Sequence, residues 1–478
     1  MAWTPPIPAE RPLDATRKAA GQVVTLAGAQ AVAVQAVASL TSAALLWPLI
    51  PAARAAAGLA SALGQRLLLR PPPDQQAAEM PVPGGAGRAA TGGPLTLGVE
   101  EEFVLLDPAT GAPVLAGPEL VRMLGGEPGV RPELMRFQVE TATGVCTSLD
   151  EAGRELLRLR RLTADAAAQL GCRLVACGVA PYRTPGLAAV TDQPRYRELA
   201  RRYGPVVAQA GTCACHVHVG VPSPDLGVQV LAQLRPWLAP LLAITANSPI
   251  AGGHDTGWAS WRHVIWSRWP TATAPAAWPD AAAYDTAIRR LIARGAALDE
   301  RNVYFLARLS PRYPTVEVRV ADVCLDAGTA VLLAGLTRAL VATALAEARR
   351  GTPAPAAPAR QVTAALAAAA RHGLAGPGID PVTGQLVDAA ALRARLLEHV
   401  SPALADHGDT EMVIGLLRRL DDRGTGAGRQ RALFTRGLST PAFITALARA
   451  TLSGYEPGRQ WAGARVPAPA AKAVVLCQ

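Results

Sequence analysis

From Leu97 to Leu106 the chain reads Leu-Gly-Val-Glu-Glu-Glu-Phe-Val-Leu-Leu, an apolar run interrupted by three consecutive carboxylates and bounded by Gly93-Pro94 and Asp107-Pro108. The pattern predicts a strand. Side chains alternate across a strand, so Glu100 and Glu102 share one face and Glu101 takes the other. Two carboxylates on one face lie about 7 Å apart and repel each other unless a cation sits between them. The stretch alone fits either a metal site or a sheet edge whose acids face water.

The same two-residue spacing recurs downstream. Residues 137–141, Phe-Gln-Val-Glu-Thr, form a second apolar-acidic segment carrying Glu140 and preceded by Glu133. Residues 150–170 carry Leu at helical spacing among many Arg and predict an amphipathic helix, with residues 173–179 as the next strand. Residues 211–221, Gly-Thr-Cys-Ala-Cys-His-Val-His-Val-Gly-Val, predict a strand with His216 and His218 on one face. A lone buried His is more often a satisfied core residue; two on one strand face favour function. A helix over 228–246 leads into a Gly-rich loop, 247–257, suited to an active-site rim. Residues 258–270 hold four of the nine tryptophans with Arg262 and Arg268, so aromatic packing explains the cluster and the arginines add an anion-binding option. In residues 309–322, Glu317 and Arg319 again fall two apart, an acid for a cation beside a guanidinium for a phosphate, against the bland alternative of a surface ion pair. A long helix over 327–349, a Pro-rich linker over 351–358 and further helices to about 451 follow, interrupted by a loop at 424–431. The whole predicts a mixed α+β protein.

Composition narrows the classes. A chain of 478 residues with 50% hydrophobic content buries a core, and its net charge of +10 is spread without a dense Lys/Arg block, which argues against a nucleic-acid surface. Seven cysteines in no disulfide-scaffold spacing point to a reducing cytoplasm. Cys213-Ala-Cys215-His216-Val-His218 has no second ligand pair at zinc-finger spacing, so its thiols are expected to be buried in an apolar strand.

Residues 1–95 differ from the rest, being Ala-rich and ending in Pro- and Gly-rich loops. No charged residue falls between Lys18 and Arg54, a length that can span a bilayer. Ala dominance, Gln22, Gln30, Gln35, Pro48 and Pro51 make insertion marginal. The expectation is a helical or disordered extension, with membrane contact through residues 19–53 and a start codon placed too far upstream as the alternatives. Residues 453–478 are expected to be a loose tail.

Four stretches in order, Gly98-Val-Glu-Glu-Glu-Phe103, His216-Val-His-Val-Gly220, residues 247–270 and Ser310-Pro-Arg-Tyr-Pro-Thr-Val-Glu-Val-Arg319, resemble the carboxylate-amine ligases of the type-2 glutamate-cysteine ligase family. The resemblance covers residues 96–452, with Gly424-Thr-Gly-Ala and Arg429-Gln430-Arg431 similar to the family's C-terminal motif. It implies a glutamine-synthetase-like catalytic fold, an antiparallel sheet funnel with helices packed outside. It also implies an ATP-dependent ligase that forms an amide through an acyl phosphate, with glutamate as the acid and an amine such as that of cysteine. Phosphoryl transfer relies on positioning and charge neutralisation, so Mg2+, with Mn2+ as an alternative, would be held by Glu100, Glu102, Glu140 and Glu317. An imidazole from His216 or His218 would complete one site, with His218 and Arg312 on the nucleotide side. By the same resemblance Arg319 would contact the transferred phosphate, with Arg268 and Arg312 as helpers. The family loop often carries Arg where His254 stands, which implies an altered substrate contact there. A guanidino or amino kinase on the same fold and an inactive, membrane-associated relative are the alternatives, and the oligomeric state is left open.

Overall fold

The computed structural model describes residues 95–459. The extension with its membrane contact at 19–53, and the tail beyond 459, lie outside the described residues. Seven strands form one antiparallel sheet: β1 (Leu97–Leu106), β2 (Val130–Pro132), β3 (Gln138–Ala142), β4 (Arg173–Val175), β5 (Ala214–Gly220), β6 (Ala307–Leu309) and β7 (Thr315–Asp322). Their spatial order is β2-β3-β1-β5-β7-β6, with β4 also paired to β1. The predicted α+β architecture and the opening strand are thus present.

Along β1 the burial alternates, with Leu97, Val99 and Glu101 buried and Gly98, Glu100 and Glu102 partly exposed. The buried face packs on a layer that includes α1 (Leu149–Gln169), α2 (Pro224–Leu234), α3 (Leu238–Thr245) and, after α4 (Trp261–Trp266), α5 (Ala327–Arg349). Helix α5 is long and apolar enough to cross a membrane, yet most of it is buried inside this fold, apolar on all sides as a central core helix is. Helices α6 (Ala359–His372), α7 (Ala389–Asp406), α8 (Thr410–Arg423), α9 (Gly426–Thr435) and α10 (Thr440–Thr451) follow among the described residues.

Local chemistry explains where elements depart from the sequence pattern. The single helix expected over 228–246 is two helices, α2 and α3, separated by a 3-10 turn at Arg235–Trp237. Pro236 has no N–H to continue the ladder. Helix α2 also starts early, because the Ser223 hydroxyl accepts from the Leu226 amide at 3.3 Å and Pro224 follows as the first helical residue. The expected loop at 424–431 is instead mostly helix α9, capped by the Thr425 hydroxyl on the Gly428 amide at 3.2 Å. A short hairpin, Pro377–Ile379 with Leu386–Asp388, was absent from the helical expectation for this region. Beyond α10 the chain still packs: the Ala327 amide donates to Ser453 at 3.0 Å, and Tyr455 is buried.

Candidate functional site

Sheet register sets the acids in a row. Directly opposite partners are Glu140 and Glu102, Glu100 and His216, His218 and Glu317, and Glu317 and Arg308. Opposite residues point to the same side of a sheet, so five strands deliver their polar side chains to one surface. Glu133, from the turn between β2 and β3, joins them. Two groups of three result: Glu100, His218 and Glu317, and Glu102, Glu133 and Glu140, each with ligand atoms within 4.8 Å of one another. The Glu102 carboxylate is fixed by accepting from the Ala214 amide at 2.8 Å. Glu100, Glu102, Glu133 and Glu140 are all partly exposed, so this face remains open to a ligand.

The two groups carry opposite electrostatics. Burial alone would raise the Glu100 carboxyl, but hydrogen bonds from His216 and His218 outweigh it and hold the group well below the usual carboxylate range. Glu317 is likewise held down: burial opposes ionisation, and Arg319, then Arg308, overcome it. Arg308 holds Glu317 through two nitrogens at 2.8 and 3.3 Å, and Arg319 pairs with its other side. In the second group the acids repel each other. Burial and the neighbouring Glu133 push Glu102 up to about 8. Burial followed by Glu100, Glu133 and Glu102 pushes Glu140 well above its ordinary value, with Arg131 at 3.8 Å giving only partial relief. Burial likewise raises Glu133.

This donor set fits a hard divalent cation. Three carboxylates that cannot all ionise together are the arrangement a cation relieves, and oxygen ligands suit Mg2+ or Mn2+. In the first group the Nε2 atom of His218 faces the Glu100 carboxylate at 3.4 Å, while its Nδ1 lies 3.0 Å from the Thr315 hydroxyl. Its Nε2 is thus the nitrogen positioned to share a cation with Glu100 and Glu317. His216 is committed otherwise: its Nδ1 lies 3.2 Å from Glu100 and 3.4 Å from an Arg319 nitrogen. Burial and the Arg319 charge lower its pKa to about 4.

Glu101 points the other way, fully buried, and accepts from Arg160 of α1 at 2.8 Å. Arg160 also donates to the carbonyls of Thr451 and Cys324 at 2.7 and 2.8 Å, tying sheet, α1 and the end of α10 together. Arg268 and Arg312 are exposed, and neither pairs with any of the five acids of the two groups; that work falls to Arg319, Arg308 and Arg131, with Arg262 and Arg195 acting at longer range. Glu133, Arg308 and the structural part of Arg262 were not assigned by the sequence, because they sit outside the two-residue pairs that carried the reading. The expected burial of the thiols is observed for all six described cysteines.

The segment after α3, expected as a rim, is held by the C-terminal motif. Gln430 of α9 donates to the Asn247 side chain at 2.7 Å and to its carbonyl at 2.8 Å, and Arg431 pairs with Asp255 at 2.9 Å. Gly426 permits that approach, since a Cβ there would lie 2.3 Å from the Asn247 amide oxygen. The basic C-terminal motif therefore braces both ends of the Gly-rich loop, on which His254 is exposed.

With this geometry stand the likenesses to known proteins. The family model for glutamate-cysteine ligase family 2 matches residues 96–455. A provisionally named glutamate–cysteine ligase 2-1 of Nocardia farcinica is 45% identical over 376 residues, covering 78% of this chain and 98% of that protein. A similarly named protein of Salinispora arenicola is 45% identical over 358 residues, covering 73% and 94%. Among solved structures, a glutamate–cysteine ligase of Francisella tularensis in complex with AMP superposes with TM-score 0.58 at 15% identity over 78% of this chain and 91% of that one. A bifunctional glutathione synthetase of Pasteurella multocida gives 0.54 at 14% identity over 75% and 52%. These two share the fold. The chain belongs to glutamate-cysteine ligase family 2 and is an ATP-dependent ligase.

Proposed function

We propose that the protein joins the γ-carboxylate of glutamate to the amine of an amino acid such as cysteine, through an acyl phosphate made from ATP. The observation that carries this reading is the pair of three-donor groups on one sheet face with the Arg319 guanidinium between Glu317 and His216. In the first step a carboxylate oxygen attacks the γ-phosphorus of ATP and ADP leaves. In the second the neutral amine attacks the acyl carbon, phosphate leaves, and the amine proton is lost. Bound divalent cations would neutralise the phosphate oxygens. Glu102, Glu133 and Glu140 would hold one such cation, and Glu100, His218 and Glu317 another.

The chain's own residues supply orientation and charge. Arg319 is buried, locked on Glu317, and leaves its Nε without a partner, so it presents a fixed positive charge to a transferring phosphoryl group without reorganising. Arg308 behind Glu317 keeps that carboxylate ionised. The relatives named above as glutamate–cysteine ligases support glutamate and cysteine as the pair. Mixing the protein with ATP, Mg2+, glutamate and a panel of amino acids tests it. ADP release only with a productive acid–amine pair, and a product of amide mass, is expected. ADP release that yields a phosphorylated amine instead would assign a kinase.

A further inference from the structure

The register between β5 and β7 breaks at one place. Ala214 faces Asp322 and Cys215 faces Ala321, while Val217 faces Val318 and His218 faces Glu317. A single residue, His216, therefore opposes two, Arg319 and Val320, which is a β-bulge. The bulge changes which side chains reach the site. Glu317 and Asp322 are five residues apart and would point to opposite faces of a regular strand. With the extra residue both face the side of His216 and His218, while Val318 and Ala321 stay in the core.

A bulge leaves main-chain groups without ladder partners, and here one side chain meets them. The Arg262 guanidinium donates to the carbonyls of both bulge residues, Arg319 and Val320, each at 3.4 Å. Arg262 is 1% exposed and is itself held from three sides. Its amide donates to the Ser248 hydroxyl at 3.0 Å, its guanidinium lies 3.9 Å from the Asp322 carboxylate, and it sits over the Trp266 ring at 5.5 Å. Asp322, brought to this face by the bulge, accepts from the hydroxyls of Ser248 and Ser260, both at 2.7 Å, and from the Asn247 amide at 2.9 Å. Gly178 allows the packing, as a Cβ there would lie 2.9 Å from Asp322 and 3.0 Å from Ser248.

We propose that Arg262 is a positioning residue: it staples the bulge at Arg319–Val320 and through it aims the Arg319 side chain at the reacting phosphate. The part concerning Arg319 rests on the ligase reading of the site. Arg262 is too buried to touch a substrate, so beside its long-range pull on Glu102 it acts through the β7 backbone. It also links the rim to the strand that bears Glu317, because Ser248 and Ser260 are held by the same Asp322.

The test compares Arg262→Met, Arg319→Met and the double variant. Arg262→Met is expected to lower kcat by about 10²-fold, as a small misplacement of a catalytic group does, with little change in the KM for the amine. The double variant is expected to be no slower than Arg319→Met alone. An Arg262→Met variant as fast as wild type, or losses that multiply in the double variant, would overturn the proposal. Should Arg262→Met fail to fold, Arg262→Lys keeps the charge with a single donor point and is expected to retain an intermediate kcat; full wild-type kcat would count against the staple. Hydrogen exchange of the metal-free protein gives a reading independent of activity. Faster exchange across residues 315–323 in Arg262→Met with α5 unchanged is expected, and unaltered exchange there would refute the staple. A wild-type protein that releases no ADP with any pair would sink the ligase reading and leave the exchange result standing.

Discussion

Glu101 and Glu102 are adjacent in sequence, and their carboxylates lie on opposite sides of β1, Glu101 sealed against Arg160 and Glu102 held by the Ala214 amide among repelling acids. One is structural and the other is chemical. Glu101→Gln leaves the Arg160 charge buried without its partner, which is expected to destabilise the fold by about 3–5 kcal/mol. Glu102→Gln fixes the neutral state that the metal-free fold already favours, so that form should keep its stability while turnover falls by at least about 10²-fold. Denaturant unfolding and ADP release on the two variants should separate cleanly.

The acid cluster predicts an unusual pH dependence for the metal-free protein. Glu102 is pushed up to about 8 in the fold from an ordinary value of about 4.5 in the unfolded chain, and Glu133 and Glu140 shift in the same direction. The folded state binds more protons between those values, so this stabilisation is complete below about pH 4.5 and lost as pH rises through about 8. His216, lowered to about 4 from 6.5, has the opposite slope, but its contribution is complete above pH 6.5. The midpoint of urea unfolding without metal should therefore fall between pH 6.5 and 8.5, and millimolar Mg2+ should flatten the fall. A midpoint that rises over that range contradicts the cluster.

The two histidines should separate by metal affinity. His218→Ala removes the imidazole grouped with Glu100 and Glu317 and is expected to weaken Mn2+ binding by about tenfold or more, read by the paramagnetic signal of free Mn2+. His216→Ala, which removes a partner of Glu100 and Arg319, should weaken it less.

Among the arginines, Arg319→Lys should lower kcat by about 10²–10³-fold, since a point charge replaces a fork already fixed on Glu317. Arg268→Ala and Arg312→Ala should change it far less, because both side chains are exposed and outside the acid pairs. A large loss at Arg312 would mean that its loop reaches the nucleotide during turnover.

Much of this was legible from a period of two. Glu100 with Glu102, His216 with His218, and Glu317 with Arg319 each lie on one strand, so alternation alone puts each pair on a face. The opposite orientation of Glu101 follows from the same rule. What could not be read was pairing between strands: which acid would oppose which, that Glu133 would swing in from a turn, and that Arg308 would stand behind Glu317. The bulge at Arg319–Val320 was hidden for a sharper reason. A strand pattern in a single sequence carries no sign of its partner's register, so the odd spacing from Glu317 to Asp322 reads as opposite faces. Pro236, by contrast, was a visible signal of a helix break that hydrophobic periodicity overrode, and Thr425 a helix start masked by the glycines at 424, 426 and 428.

The central claim is amide formation through an acyl phosphate, and isotope transfer tests it most directly. Glutamate carrying heavy oxygen in its γ-carboxylate is incubated with ATP, Mg2+ and cysteine, and both products are examined by mass spectrometry. The account predicts one labelled oxygen in the released phosphate for each amide formed. Amide accompanied by unlabelled phosphate, or label retained in glutamate while the amine becomes phosphorylated, would contradict it.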